Sequence, residues 1–201
     1  MATLKVSVLE CPQCGAPVKP GSKTCDRCYS EYIVTSVSSL KKFDSSGIKK
    51  YLDGYKKNVG LGCESAELYT AMGICHLTRK VYPHAINYFE KAIALLPEDG
   101  DTYYYAAVAL LEGKKAFLTN RPVIDKIETY LANALGLDDK PEYYALYAYI
   151  KYDYFFRKSF NTSPTYRELL VEAINHGFNR FESDALYETL SVACPGPLVV
   201  R

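Results

Sequence analysis

No apolar run in the chain approaches the roughly 20 residues needed to span a bilayer, and its first residues, MATLKVSVLECP, lack the charged start and long apolar middle of a secretory signal. The expected location is cytoplasmic, with no membrane partner. Also missing are a glycine-rich phosphate loop, a paired-carboxylate motif and a metalloprotease helix. Only three histidines are present. His76 follows Cys75, yet neighbours on a helix project about 100° apart and cannot readily share a proton, so they make a poor nucleophile and base. His84 and His176 fall near helix ends, where capping accounts for them. These absences predict no enzyme, no catalytic residues and no small-molecule substrate. Tryptophan is absent too, whereas tyrosine occurs 19 times, mostly from Tyr51 onward. A tyrosine has an apolar body and a polar tip, which suits either wet seams between helices or a groove that grips a peptide.

What is present begins with an ordinary globular balance, 48% hydrophobic and 23% charged over 201 residues, enough for one or two domains. Seven cysteines divide into four with regular spacing and three alone, Cys63, Cys75 and Cys194. An odd count without an export signal argues for metal plus free thiols rather than a disulfide framework. Cys11-Pro-Gln-Cys14-Gly and Cys25-Asp-Arg-Cys28 form two C-x2-C turns separated by ten residues. Each such turn aims two sulfurs the same way, so four thiolates at this spacing can close a tetrahedron round one Zn2+, with Gly15 permitting the turn's backbone angles. Four thiolates leave no open position for water, which makes the ion structural. A redox role for C-x2-C needs a thioredoxin-like βαβ context, which is absent. The segment CPQCGAPVKPGSKTCDRC resembles the small zinc ribbons over about residues 8–32, with one departure at Tyr29, where such ribbons often carry glycine. The resemblance implies a small β module over residues 1–32, too short to fold without its metal.

Residues 1–32 carry Lys5, Lys19, Lys23 and Arg27 against Glu10, Asp26 and Glu31, a sum of +1, and four thiolates on Zn2+ add −2 to give −1. That is a weak attraction for phosphate, so the ribbon is expected to dock on protein or to be purely structural. A serine- and threonine-rich linker over 33–47 leads to an amphipathic helix over 48–59 with Ile48, Leu52, Tyr55 and Val59 on one face. Residues 33–60 hold six lysines against Asp44 and Asp53, or +4. Lys49, Lys50, Lys56 and Lys57 form a basic patch whose plain reading is a solvated face, and whose alternative is a grip on nucleic acid.

From Ala66 to Pro97 the chain reads as two amphipathic helices joined by a tight corner. Small and large residues fall on fixed offsets: Tyr69, Met72, Gly73 and His76, then Ala85, Phe89 and Ala92, closed by Pro97. Gly73 and Ala85 are small where two helices must approach closely. The offsets return at Tyr103, Ala106 and Ala107, with Ile127, Leu131 and Ala134 on a second helix delayed by about eight residues around GKKAFLTNRPV. They return again from Pro141, with Tyr144, Tyr147 and Ala148, then Leu170, Ala173 and Ile174; Ser163 is the expected N-cap of that last helix and Gly177 its end. This pattern resembles the tetratricopeptide repeat (TPR), whose period is about 34 residues. The resemblance implies a mostly α fold: a TPR-like α-solenoid of about three helical hairpins over 48–201, with a leading basic helix at 48–59, repeats at 66–97, 101–137 and 141–177, and a capping helix at 183–193, plus the small N-terminal β zinc ribbon.

In such repeats the first helices line a concave face that holds a peptide or partner helix. Mapped onto this chain, the offsets place Thr70, Ile74, Tyr104, Val108, Tyr149 and Tyr152 there. The lining is apolar and aromatic and lacks the lysine, arginine and asparagine of a carboxylate clamp, so the resemblance implies a hydrophobic or tyrosine-mediated grip. Tyrosines that merely fill seams are the plain alternative for any one position. Residues 61–201 hold 14 basic and 18 acidic side chains, or −4, which disfavours a nucleic-acid groove in the array. The expected function is a protein–protein adaptor or scaffold. Its alternative is a nucleic-acid accessory protein using the ribbon and the lysine pairs of 41–57.

Overall fold

A computed structural model describes residues 8–19 and 21–200. The chain divides into two compact units, Met1–Pro97 and Glu98–Arg201. The described residues are mostly α-helical and form no β-sheet, and no helix among them is long and apolar enough to cross a membrane.

The first unit opens with the two cysteine turns, followed by a single helical turn α1 (Val37–Leu40), then α2 (Ser45–Gly60), α3 (Ala66–Thr78) and α4 (Tyr82–Leu95). The stretch expected to be a serine-rich join thus contains α1, capped by the Ser36 hydroxyl, which accepts from the Ser39 N–H. Asp44 caps α2 through the Gly47 N–H and Ser65 caps α3 through the Leu68 N–H, each satisfying an otherwise orphaned donor. Helix α3 packs against α1, α2 and α4, and every residue from Leu68 to Leu77 is buried. A helix that is apolar nearly all round can be stable only when enclosed in this way. Gly73 faces the ring of Phe89, and Ala85, Phe89 and Ala92 form the buried stripe of α4.

The expected β ribbon takes a different form. Each cysteine turn closes on one isolated bridge, Glu10 with Pro17 and Thr24 with Glu31. The arms are only a few residues long, and Pro17 has no N–H to donate, so no ladder can propagate.

The second unit contains α5 (Gly100–Leu110), α6 (Arg121–Leu137), α7 (Pro141–Ile150), α8 (Tyr166–Asn175) and α9 (Arg180–Leu190). Helix α7 is central: it packs against α6, α8 and α9, while α5 pairs with α6. Pro141 opens α7 at a position where its missing N–H costs nothing. Helix α8 starts at Tyr166, capped by Thr165 and Glu168 in a reciprocal capping box; Ser163, the expected cap, lies outside the helix. Asn179 and Glu182 cap α9 in the same manner.

Helix α7 runs without a break into a π-helical turn, Lys151–Phe155, and a 3-10 turn, Phe156–Lys158. The wider π turn brings both Lys151 and Asp153 inside, 5% and 3% exposed. Lys151 Nζ lies 2.7 Å from Glu128 Oε1 and over the rings of Tyr147 and Phe155. Asp153 accepts from the Phe117 N–H at 2.8 Å and pairs with Arg157 at 2.5 Å, while the Tyr149 hydroxyl accepts from the Ala116 N–H at 3.2 Å. These bonds tie down the 3-10 turn Ala116–Leu118, which lies within the extra residues between α5 and α6.

Candidate metal centre

The four thiols Cys11, Cys14, Cys25 and Cys28 come together, with all sulfurs within 4.8 Å of one another. The Cys11–Cys28 and Cys14–Cys25 sulfur pairs are each 3.6 Å apart. A tetrahedron with Zn–S bonds of about 2.3 Å has edges of about 3.8 Å, so the group could hold a metal ion with little adjustment. Both turns have the same backbone wiring. The Cys11 N–H donates to the Ala16 carbonyl and the Gly15 N–H to the Cys11 carbonyl; in the second turn Cys25 donates to Ser30 and Tyr29 to Cys25. The residue after each second cysteine is left-handed, Gly15 at φ +72° and Tyr29 at φ +57°. Tyr29 therefore takes the conformation that glycine serves in the first turn, and the residue is 79% exposed.

The thiols are electrically unlike. Burial pushes Cys11 up to about 12, whereas the N–H groups of Cys28 and Arg27 pull Cys25 down to about 6. A metal taken up near neutral pH must therefore displace at least the Cys11 proton.

Helix α2 carries this centre. The Asn58 carboxamide, 1% exposed, accepts from the N–H groups of Leu9 at 2.7 Å and Glu10 at 3.1 Å. It also donates to the carbonyls of Glu10 at 3.1 Å and Gly54 at 2.8 Å. Pro12 lies against the helix at Gly54, where an added Cβ would come within 2.4 Å of the Pro12 Cα. Gln13 Nε2 donates to the Gly47 carbonyl at 2.8 Å. The second cysteine turn is held by tyrosine tips: Tyr51 donates to the Glu31 carbonyl at 3.2 Å, and Tyr55 accepts from the Val34 N–H at 3.0 Å. A cleft of about 300 Å³ between the first turn and α2 is lined by Gly15, Lys50, Asp53 and Lys57 among others.

Lys49, Lys50, Lys56 and Lys57 are all exposed on α2, and Lys57 pairs with Glu10. Of the six positions mapped to a partner-holding face, Thr70, Ile74, Tyr104, Val108 and Tyr149 are buried, and Tyr152 is half-buried. Tyr149 spends its hydroxyl on Ala116 and Asp153.

Tyr152 belongs to an aromatic corner at the end of α7. Its ring stacks on Phe156 at 5.7 Å, and Tyr166 meets both edge-on at 5.1 Å. Phe156 and Phe160 are 52% and 49% exposed. Arg157 and Lys158 lie over Phe117, and Arg167 over Tyr166. The repeat offsets end before Phe156 and so passed over this corner, although the run Tyr152-Asp-Tyr-Phe-Phe-Arg-Lys marks it. Asn58 carried no local signal, because its partners lie 48 and 49 residues away.

His76 is buried, with Nδ1 unpartnered, between the rings of His84 and Tyr88 at 5.2 and 5.4 Å. Burial, then the charges of His84, Lys56 and Arg79, push it down to about 4. The neighbouring Cys75 thiol is fully buried and pushed up to about 12, mainly by that burial. No protein-family model matches the chain, and no curated protein is similar to it.

Proposed function

We propose that this chain is a non-catalytic, cytoplasmic adaptor. In this reading its helical hairpins are units of a TPR-like α-solenoid, and its cysteine turns, loaded with one structural Zn2+, form a second docking module. The observation that carries the reading is the aromatic corner of Tyr152, Phe156 and Tyr166, with Arg167 over Tyr166, beside a second exposed ring, Phe160, that packs on Tyr154 and Phe155, while Arg157 and Lys158 cover the nearby Phe117. Half-exposed phenylalanines next to arginine-covered aromatic rings are costly to leave in water, and aromatic residues with arginine are the composition that protein interfaces concentrate at their centres. The partner is a peptide or helix offering apolar side chains with carboxylates at its flanks. This relocates the grip from Thr70, Ile74, Tyr104, Val108 and Tyr149, whose burial leaves them to packing, to the surface next to Tyr152.

A photo-crosslinking phenylalanine at position 156, expressed in the native host, tests it against the same probe at exposed Asn133 on α6. The expected result is a discrete protein adduct at 156 and none at 133. Joint Phe156→Ser and Phe160→Ser changes should weaken that partner at least about 10-fold with an unchanged far-UV CD spectrum. Identical adducts at both positions would sink the reading. Salt-sensitive retention of an oligonucleotide, lost when Lys49, Lys50, Lys56 and Lys57 become glutamine, would replace it with the nucleic-acid alternative.

A further inference from the structure

Zinc-binding turns are commonly thought of as self-contained, with the metal supplying the folding energy and the surrounding chain tolerating the result. In this unit the first turn has a second source of order. The arm Leu9–Glu10, immediately before Cys11, is bonded on one edge through the Leu9 carbonyl to the Val18 N–H at 3.0 Å. The same arm meets the Asn58 side chain, whose amide accepts two successive N–H groups and returns a donor to the Glu10 carbonyl. The carboxamide thus clasps the bend at Leu9 by gathering two successive N–H groups on one oxygen. Its remaining N–H is spent on Gly54 of its own helix, so all four hydrogen-bonding positions of Asn58 are filled inside the protein.

Two further contacts fix the register along α2. Pro12, between the first two cysteines, touches bare helix backbone at Gly54, and Gln13 reaches Gly47 two turns earlier. Residues 9 to 13 therefore lie along α2 from Asn58 back to Gly47, so that contacts with the helix help to place Cys11 and Cys14.

We propose that α2 is the template for this metal centre, with Asn58 as its positioning residue, so that metal uptake and docking of residues 8–14 on α2 are a single coupled equilibrium. The inference rests on reading the four cysteines as a metal site. Coupling is reciprocal: whatever factor docking adds to metal affinity, metal adds to docking. Partners that orient a ligand from behind typically contribute 10- to 100-fold, and Asn58 acts one residue away from the ligand, so about 10-fold is expected.

The 201-residue chain is titrated with Zn2+ against a chromophoric chelator, and with Co2+ for the absorption of a tetrahedral thiolate site. Asn58→Ala should bind Zn2+ about 10-fold more weakly and alter the Co2+ spectrum, because the two sulfurs of the first turn lose their fixed placement. A residue of merely structural importance would lower stability and leave that spectrum unchanged. Lys57→Ala, which removes only the exposed pair with Glu10, should match the parent. Hydrogen exchange on the unaltered protein supplies a readout that survives if Asn58→Ala does not fold: amides of residues 48–60 should gain about 10-fold protection on Zn2+ addition. Equal affinity and spectrum for Asn58→Ala, or unchanged exchange in α2 on loading, overturns the template while leaving the metal centre standing. Failure of the parent to take up one equivalent of Zn2+ or Co2+ overturns the metal centre itself.

Discussion

Replacing Gly73 by alanine adds one methyl group at the closest approach of α3 and α4. The new Cβ would sit 2.4, 2.6 and 2.8 Å from Cε1, Cδ1 and Cζ of Phe89, where carbon atoms prefer about 3.5–4.0 Å. The ring would have to retreat by about 1 Å. Phe89 is 0% exposed, so the helices must part or the ring must leave its rotamer. Overpacking of this sort costs about 1–3 kcal/mol, and the overlap here puts it near about 3. Alanine returns about 1 kcal/mol through helix propensity, leaving a net loss of about 2. Gly136 in α6 has no atom within 4 Å of the added Cβ, so the same substitution there should be neutral or stabilising by up to about 1 kcal/mol. Urea unfolding followed by far-UV CD separates the two. With a slope of about 2 kcal/mol per molar, Gly73→Ala should lower the midpoint of the first unit by about 1 M. Adding Phe89→Leu to Gly73→Ala should recover stability relative to the sum of the two single changes. A Gly73→Ala protein as stable as its parent would refute the close-packed hairpin, whatever Gly136→Ala does.

The remaining predictions concern buried charge. His76 is held near 4 in the folded unit against 6.5 when free, so the folded state resists the proton that the unfolded chain accepts. Stability is therefore complete above pH 6.5 and falls as pH drops towards 4, by about 2 kcal/mol between pH 7.5 and 5; His76→Leu should flatten this part of a pH-denaturation series, and an unchanged slope would contradict it. In the second unit, Lys151→Met leaves Glu128 without its 2.7 Å partner and should cost about 3 kcal/mol. Adding Glu128→Gln should restore at least half of that, as read by thermal melts; strictly additive losses would show that the pair is not coupled.

Much of the helical organisation was legible because it depends on local chemistry. Small residues at Gly73, Ala85 and Ala92 mark a close hairpin, and Pro141 marks a helix start, whatever the distant chain does. The Cys11–Cys28 quartet was legible for the same reason, since its spacing alone limits where sulfurs can go. The start of α8 could have been read more accurately: Thr165-Tyr-Arg-Glu168 is a capping-box signature that outranks Ser163. Long-range wiring was not legible. Nothing near Asp153 indicates that its carboxylate will hold the Phe117 N–H, 36 residues earlier, and nothing near Asn58 points to Leu9. The π turn is equally silent in the sequence, since the partners of its buried Lys151 and Asp153 are Glu128 and the Phe117 N–H, both far along the chain. Three of the positions expected on a partner-holding face, Ile74, Val108 and Tyr149, are buried, because burial depends on neighbouring helices that the offsets alone do not specify.

The abundance of tyrosine acquires a purpose in the hydroxyls of Tyr51, Tyr55 and Tyr149. Each reaches from inside a helix to an irregular backbone group, at Glu31, Val34 and Ala116 respectively. A phenylalanine could fill the same volume but could not moor a passing loop. A chain equipped with such moorings can accept inserted residues between helices without enlarging its interior, since one phenol tip suffices to tether the added slack.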